Sequence, residues 1–525
     1  MLKILKDGKP GARRSYNVYL AKNEYKGCQF AVKSDNLTGP AVITCTPASK
    51  TGNITCTPDY KPDNINCAPA RSHGGGEIQC ELFLERYIPT CKTEKFFPGD
   101  ENTGKIMDYP DGLEPWTPEK TVYFRPNETV VFYVLFHAAA GAEAGEYRTE
   151  ITVKVENEII DRGEIIINVW NFTLPGAHAM ETASQLGKKE LAKFHSVQGD
   201  ALDEMYVKYY EFMLEHHLCA YNLPYDILDS RANRYLDDER VTTFKIPYSE
   251  NDEIIKKYYD KLSGKPEWLK KGFFYPLDEP GTPEQYEKLH EAGERLKRLF
   301  PGYRMCVPFF QNPDMPEGRD AIDYAAEVMN VWCPKLYCFD SENIYNERQL
   351  AEKKPFAERM RRQAEGGDDL WWYVCWEPGE PYGNLYVNMQ GAASRVIFWQ
   401  AYIYNVTGFL YWHSNYWQHT GNPWESMSTV PWLTRDCYGD GSLLYNGSEV
   451  GMNGPCSSLR LEAVRDGIDD YEYITMAKKL GVPAKEIDEI VKPVARSITD
   501  YTRDDRVIEE ARVALGKIIE KYSVK

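Results

Sequence analysis

From about residue 176 to 455 the chain alternates short apolar runs with amphipathic helical stretches, and this alternation most constrains its fold. Strand candidates fall at 305–310, 328–332, 370–375 and 408–412. Between them lie helix-period segments. In 202–216 the apolar positions Leu202, Met205, Tyr206, Tyr209 and Met213 share one face. Thr282-Pro283-Glu284-Gln285 reads as a capping box with Pro at the first helical position. Tyr286, Leu289, Gly293, Leu296 and Leu299 continue that helix, and Pro301 stops it. Strands alternating with helices over this length predict a (β/α)8 TIM-like barrel. A doubly wound sheet is the alternative, but no Gly-rich dinucleotide loop supports it.

The flanks differ in texture. Residues 1–175 are β-rich with frequent turn residues, which predicts a β-sandwich. Its clearest strands are 130–136, apolar on both alternating faces, 147–155 and 165–170. An 11-residue repeat, Ile43-Thr44-Cys45-Thr46-Pro47 and Ile54-Thr55-Cys56-Thr57-Pro58 with a weaker copy around Cys67, reads as hairpin strands. A metal cluster of Cys45, Cys56 and Cys67 is the less favoured reading. Residues 456–525 read as helical, clearest at 461–477 and 507–519, and are expected to pack on the barrel. The expected class is thus multidomain α/β plus all-β: sandwich at 1–175, catalytic barrel at 176–455, helical extension at 456–525. At ~150 residues per domain, 525 residues suit this count.

Charge narrows the partners. The 62 Lys+Arg against 79 Asp+Glu leave −17, which argues against nucleic acid and against anionic membranes. No apolar run approaches the ~18 residues of a transmembrane helix. The start of the chain lacks the apolar core of a signal peptide. Thirteen cysteines, none in a C-x-x-C pair, favour a reducing, cytoplasmic setting. No zinc spacing occurs among the nine histidines, and no cofactor or metal is implied. The pair His216-His217 is expected to close a helix, where His suits the negative dipole end. Oligomeric state is not legible.

The sharpest local feature is Gly272-Phe273-Phe274-Tyr275-Pro276-Leu277-Asp278-Glu279-Pro280. An apolar strand runs into two carboxylates, a proline and a capped helix. Barrels display catalytic groups at such strand ends, although a polar loop that only caps a helix would look similar. Adjacent residues have Cα atoms ~3.8 Å apart, so they flank a glycosidic bond from both faces only awkwardly. They better suit a division of labour, with Glu279 protonating the leaving oxygen and Asp278 orienting a substrate acetamido group that attacks. Tyr337, Trp376, Trp412 and Asn415 follow other strand candidates, and Asn222 follows Cys219-Ala220-Tyr221. These five are the candidate substrate-binding residues, since aromatic rings pack on sugar C–H faces while polar groups fix hydroxyls. The acidic group Asp466, Asp469, Asp470 and Glu472 is expected to be a solvated face or a set of internal salt bridges.

The stretch from Gly439-Asp440-Gly441-Ser442-Leu443-Leu444-Tyr445 to Ser458-Leu459-Arg460-Leu461-Glu462-Ala463-Val464-Arg465-Asp466-Gly467-Ile468-Asp469-Asp470-Tyr471-Glu472-Tyr473 resembles glycoside hydrolase family 123 and its uncharacterised relatives. So do Asn23-Glu24-Tyr25 with Gln29-Phe30, Tyr109-Pro110-Asp111, Gly145-Glu146-Tyr147 and Val169-Trp170-Asn171-Phe172. The resemblance implies a retaining β-N-acetylgalactosaminidase working through an oxazolinium intermediate on a carbohydrate substrate. It implies Asp278 as the group that holds the acetamido and Glu279 as general acid/base. Two other outcomes stay open: a conventional two-carboxylate glycosidase with a partner such as Glu377, and a non-catalytic glycan-binding module.

Overall fold

The computed structural model describes residues 4, 15–33, 39–47, 78–89, 108–117, 119–155, 158–340, 344–346, 349, 355–417, 421–427 and 437–523. Cys56 and Cys67 lie outside the described residues, and with them most of the 11-residue repeat. The molecule is mixed α/β with several sheets. None of the described helices is long and apolar enough to cross a membrane.

Two sheets form the N-terminal part. One has the order β1 (Ser15–Lys22), β9 (Glu158–Thr173), β8 (Gly145–Val155), β3 (Gly39–Pro47), β6 (Val122–Phe124). The other has the order β2 (Glu24–Lys33), β7 (Thr129–Ala138), β4 (Ile78–Pro89), β5 (Asp108–Pro115). Only β1 and β9 pair in parallel in these sheets. Side chains of both sheets share one core, among them Leu20, Ile43, Phe132, Val134, Phe136, Ile151 and Ile167. Trp116 joins it and donates its indole N–H to the Ile43 carbonyl at 3.0 Å. The double-faced apolar run on β7 has a direct cause. Phe132, Val134 and Phe136 face that core, while Tyr133 and Leu135 pack with Leu113 and with Leu459 of the C-terminal helix.

The central part is a parallel half-barrel. Its sheet runs β10 (Glu181–Ser184), β16 (Gly408–Tyr411), β15 (Asp369–Val374), β14 (Val331–Pro334), β13 (Cys306–Phe309), all parallel. A separate parallel pair joins β11 (Phe244–Ile246) to β12 (Gly272–Phe274). Phe274 bridges Met305 beside β13, and Ser184 bridges Ala220. The Lys245 N–H donates to the Tyr221 carbonyl at 2.7 Å. Alternation along the strands sorts the side chains. Ala183, Phe273, Cys306, Cys333, Trp371, Tyr373 and Leu410 pack in one cluster. Their neighbours Phe274, Val307, Trp332, Trp372, Phe409 and Tyr411 pack with the helices.

The strand expectations hold with shifted ends, the largest shift being 165–170, which extends to Glu158–Thr173, while 328–332 becomes Val331–Pro334. The helix Pro283–Leu299 carries both halves of the Thr282–Gln285 capping box and buries Tyr286, Leu289, Gly293, Leu296 and Leu299.

Helices Leu459–Lys479, Ala484–Val491 and Asp505–Ser523 complete the chain. They pack against more than the barrel helices. The Arg460 guanidinium donates to both oxygens of Asp111 on β5, at 2.9 and 2.8 Å. Lys26 of β2 pairs with Asp466 at 2.8 Å. Arg512 bonds Glu24 and Asp470, and Arg395 bonds Asp470 at 2.6 Å. All four acidic residues of this helix are buried: Asp466 and Asp470 in these ion pairs, Asp469 against His178 and His217, and Glu472 accepting the Ala179 N–H at 2.6 Å, which overturns the solvated-face alternative.

Candidate active site

The segment after β12 sets the geometry. Pro276 and Pro280 cannot donate to a ladder, so the strand ends and the chain turns at its C-terminal edge. Glu279 has φ +43°, a left-handed conformation that is uncommon for a residue with a Cβ. The two carboxylates then diverge. Asp278, exposed, accepts from the Tyr275 hydroxyl at 2.6 Å. Glu279, half-buried, accepts from the Tyr373 hydroxyl at the far side of the sheet.

Glu279 also faces a cation that sequence reasoning did not single out. Lys335 follows β14 directly and its side chain is 0% exposed. Its ammonium lies 3.6 Å from Glu279 Oε1 and 3.9 Å from Glu377 Oε2. The rings of Phe310, Trp376, Tyr373 and Tyr337 surround it, with centroids at 3.9, 5.2, 5.5 and 5.7 Å. A lysine immediately after four apolar strand residues was the available signal. Burial pushes the Tyr337 and Tyr373 hydroxyls well above the usual phenol range, so both stay protonated donors.

The other candidates divide. Tyr337 and Trp376 lie beside Lys335, half-buried. Trp412, half-buried, donates its indole N–H to Asp440 at 3.0 Å and packs on Tyr416 at 4.8 Å between centroids. Asp440 is fully buried, and burial pushes its carboxyl up to about 7. Asn222 is exposed and lines a cavity of about 660 Å³ with Tyr206, Lys245, His413 and Tyr416. That cavity opens beside the ends of β10, β11 and β16, and neither Asp278 nor Glu279 lines it. Asn415 stands apart from these. It is buried, accepting from the Gly187 N–H at 2.8 Å and donating to the Gly187 carbonyl at 3.1 Å. Its amide is occupied in holding the loop after β10.

His216 and His217 do end a helix, Asp200–Glu215, and then bind the C-terminal helix rather than only its dipole. His216 Nε2 is 3.0 Å from Glu462, and His217 Nε2 is 3.1 Å from Asp469 Oδ1, which His178 also reaches at 3.1 Å. The His178 and His217 rings stack with centroids 3.6 Å apart, closer than two imidazoles spread around one tetrahedral ion. The three groups form a hydrogen-bonded clamp.

The family model for the glycoside hydrolase 123 catalytic domain matches residues 310–477. Over this span, about a third of the chain, the protein is similar to that catalytic domain. The matched span holds Lys335, Tyr337, Tyr373, Trp376, Glu377, Trp412 and Asp440, and begins after Asp278 and Glu279. Among solved structures, a family 123 glycoside hydrolase from Clostridium perfringens, described for glycolipid glycan hydrolysis, aligns at 12% identity with TM-score 0.65. The alignment covers 97% of this chain and 94% of that one, so the whole fold is shared. A family 39 glycoside hydrolase from Bacteroides cellulosilyticus aligns at 10% identity with TM-score 0.30, over 75% of this chain and 78% of that one. No curated protein matches.

Proposed function

We propose that this hydrolase is a retaining exo-glycosidase that releases β-linked N-acetylgalactosamine by substrate-assisted catalysis. The observation that carries the reading is the divergence of Asp278 and Glu279, forced by the left-handed backbone at Glu279. One carboxylate turns toward Tyr275 and the other toward Tyr373, so neighbours in sequence serve different atoms of one substrate. Asp278 orients the acetamido N–H and stabilises the positive charge as its carbonyl oxygen attacks the anomeric carbon. Glu279 donates a proton to the leaving oxygen, then takes one from water as the oxazolinium opens. Tyr337, Trp376 and Trp412 supply rings and hydrogen bonds for the sugar. The continuous backbone contacts from β10 through 219–221, β11 and β12 to β13 support a closed (β/α)8 barrel, with the site at its C-terminal mouth. A glycolipid or related glycoconjugate fits as substrate by analogy with the enzyme from Clostridium perfringens.

The test compares aryl β-N-acetylgalactosaminide, β-N-acetylglucosaminide and plain β-galactoside. Turnover of the first alone is expected. Glu279→Gln should lose rate mainly on poor leaving groups, and Asp278→Asn on all of them, because cyclisation itself is impaired. Near-normal rates of both variants on an unactivated glycoside would remove the pair from the mechanism.

A second reading has its own observation. Glu279 and Glu377 flank the same ammonium, a layout open to a two-carboxylate mechanism with Glu377 as nucleophile. Turnover of the plain galactoside, abolished by Glu377→Gln, would favour it.

A further inference from the structure

We propose that Lys335 is a positioning residue whose buried charge holds Glu279 and Glu377 in place and sets how readily Glu279 keeps its proton. The proposal deepens the reading of Glu279 as the acid and rests on it.

The ammonium sits where no water reaches it, yet among the described residues it has no hydrogen-bond partner. A buried cation without partners is costly, so its surroundings must compensate. They do so in two ways. Four aromatic rings turn toward it, and two carboxylates stand at 3.6 and 3.9 Å, close enough for attraction and too far for a bond. The backbone fixes the lysine: its N–H donates to the Phe309 carbonyl at 2.9 Å and it bridges Tyr373 on β15. The side chain is enclosed, so it acts through the carboxylates and not on the sugar.

Every element around Glu279 contributes a group. Asp278 comes from its own loop. The turn after β14 supplies Lys335, Tyr337 and Cys338, and β15 with its extension supplies Tyr373, Cys375 and Glu377. Burial pushes both thiols and both phenols up, leaving them neutral. Among the described residues, Lys335 is thus the cation of this set. A positive charge at this distance favours the ionised carboxylate, so its removal lets Glu279 hold a proton to higher pH.

The experiment is the pH profile of kcat on aryl β-N-acetylgalactosaminide for wild type, Lys335→Met and Lys335→Arg. In Lys335→Met the alkaline limb should move up by about one pH unit, and Lys335→Arg should restore it near its wild-type place. A folded Lys335→Met with an unmoved limb would overturn the proposal, as would an Arg variant that shifts like Met. Lys335→Gln replaces Met should that variant not fold. A second readout needs no substrate. In protein labelled with 13C at glutamate carboxyls, the resonance lost in Glu279→Gln should titrate at higher pH in Lys335→Met than in wild type. Wild type silent on all aryl glycosides would defeat the functional reading while the resonance still tests Lys335; an unmoved resonance would defeat the Lys335 role alone.

Discussion

Asp111 and Arg460 are 349 positions apart and meet as a buried pair, with the guanidinium also donating to the carbonyls of Leu385, Gly439 and Ser442. Arg460 thereby ties β5, the Gly439–Ser442 turn and the C-terminal helix to one point. Replacing it with Met leaves a buried carboxylate without its cation and three carbonyls without a donor. Loss of one partner of such a pair costs ~3–5 kcal/mol. Arg460→Met should therefore lower stability by that order in chemical denaturation; a change under ~1 kcal/mol would show that water replaces the guanidinium. Neither partner is remarkable as a residue in sequence. Both lie in segments whose resemblance to family 123 was legible, and the structure supplies the reason for that joint appearance: one ion pair spans them.

At the scale of elements, the helices Gly391–Tyr404 and Leu459–Lys479 cross in close contact at Gly467. A Cβ built there would meet Phe398 Cδ2 at 2.3 Å and the Arg395 carbonyl oxygen at 2.9 Å. Alanine in place of helical glycine ordinarily gains up to ~1 kcal/mol. Here the backbone oxygen cannot turn away, so overpacking at ~1–3 kcal/mol should win. Gly467→Ala is expected to lower Tm, and a raised Tm would mean the helices separate freely. The same contact explains why the helix Leu459–Lys479 was easy to find and hard to interpret. Leu461, Val464 and Ile468 face the barrel-side core while Tyr473, Ile474 and Ala477 face the C-terminal helices. Its carboxylates Asp466 and Asp470 then pair with cations from other elements instead of facing water.

Across the whole molecule, buried carboxylates set how stability follows pH. Burial pushes Asp440, Glu24 and Glu215 up to about 7, from ordinary values of 3.8 for Asp440 and 4.5 for Glu24 and Glu215. Between those ordinary values and 7 the folded chain binds more protons than the unfolded one, so this stabilisation is lost as pH rises through about 7. Asp320 and Glu462 work in the other direction. Burial opposes their charge, but Arg359 and Arg465 overcome it and hold both near 2. Their contribution is present above the ordinary carboxylate range and lost as pH falls through about 2. Stability should therefore peak near pH 4, fall from there to about pH 7 and level off above it. Asp440→Asn, which mimics the protonated form, should flatten part of that decline in Tm measured from pH 5 to 8. An equally steep decline in the variant would show that Asp440 is already ionised in the fold.

The sequence by itself determined what depends on neighbours along the chain. Periods of two and 3.6 marked the strands and helices, Thr282 and Gln285 marked a cap, and the run from Phe273 to Pro280 marked a strand ending in carboxylates. The tertiary structure alone decided what depends on residues far apart. It turned Asp278 and Glu279 away from each other by giving Glu279 a left-handed backbone. It set Lys335 between Glu279 and Glu377, three residues from three different strand ends. It occupied Asn415 with Gly187, although the residue follows a strand as the substrate-binding candidates do. Local propensity acts within a few residues, whereas a buried charge or amide is placed by whatever the packed chain brings within 4 Å of it.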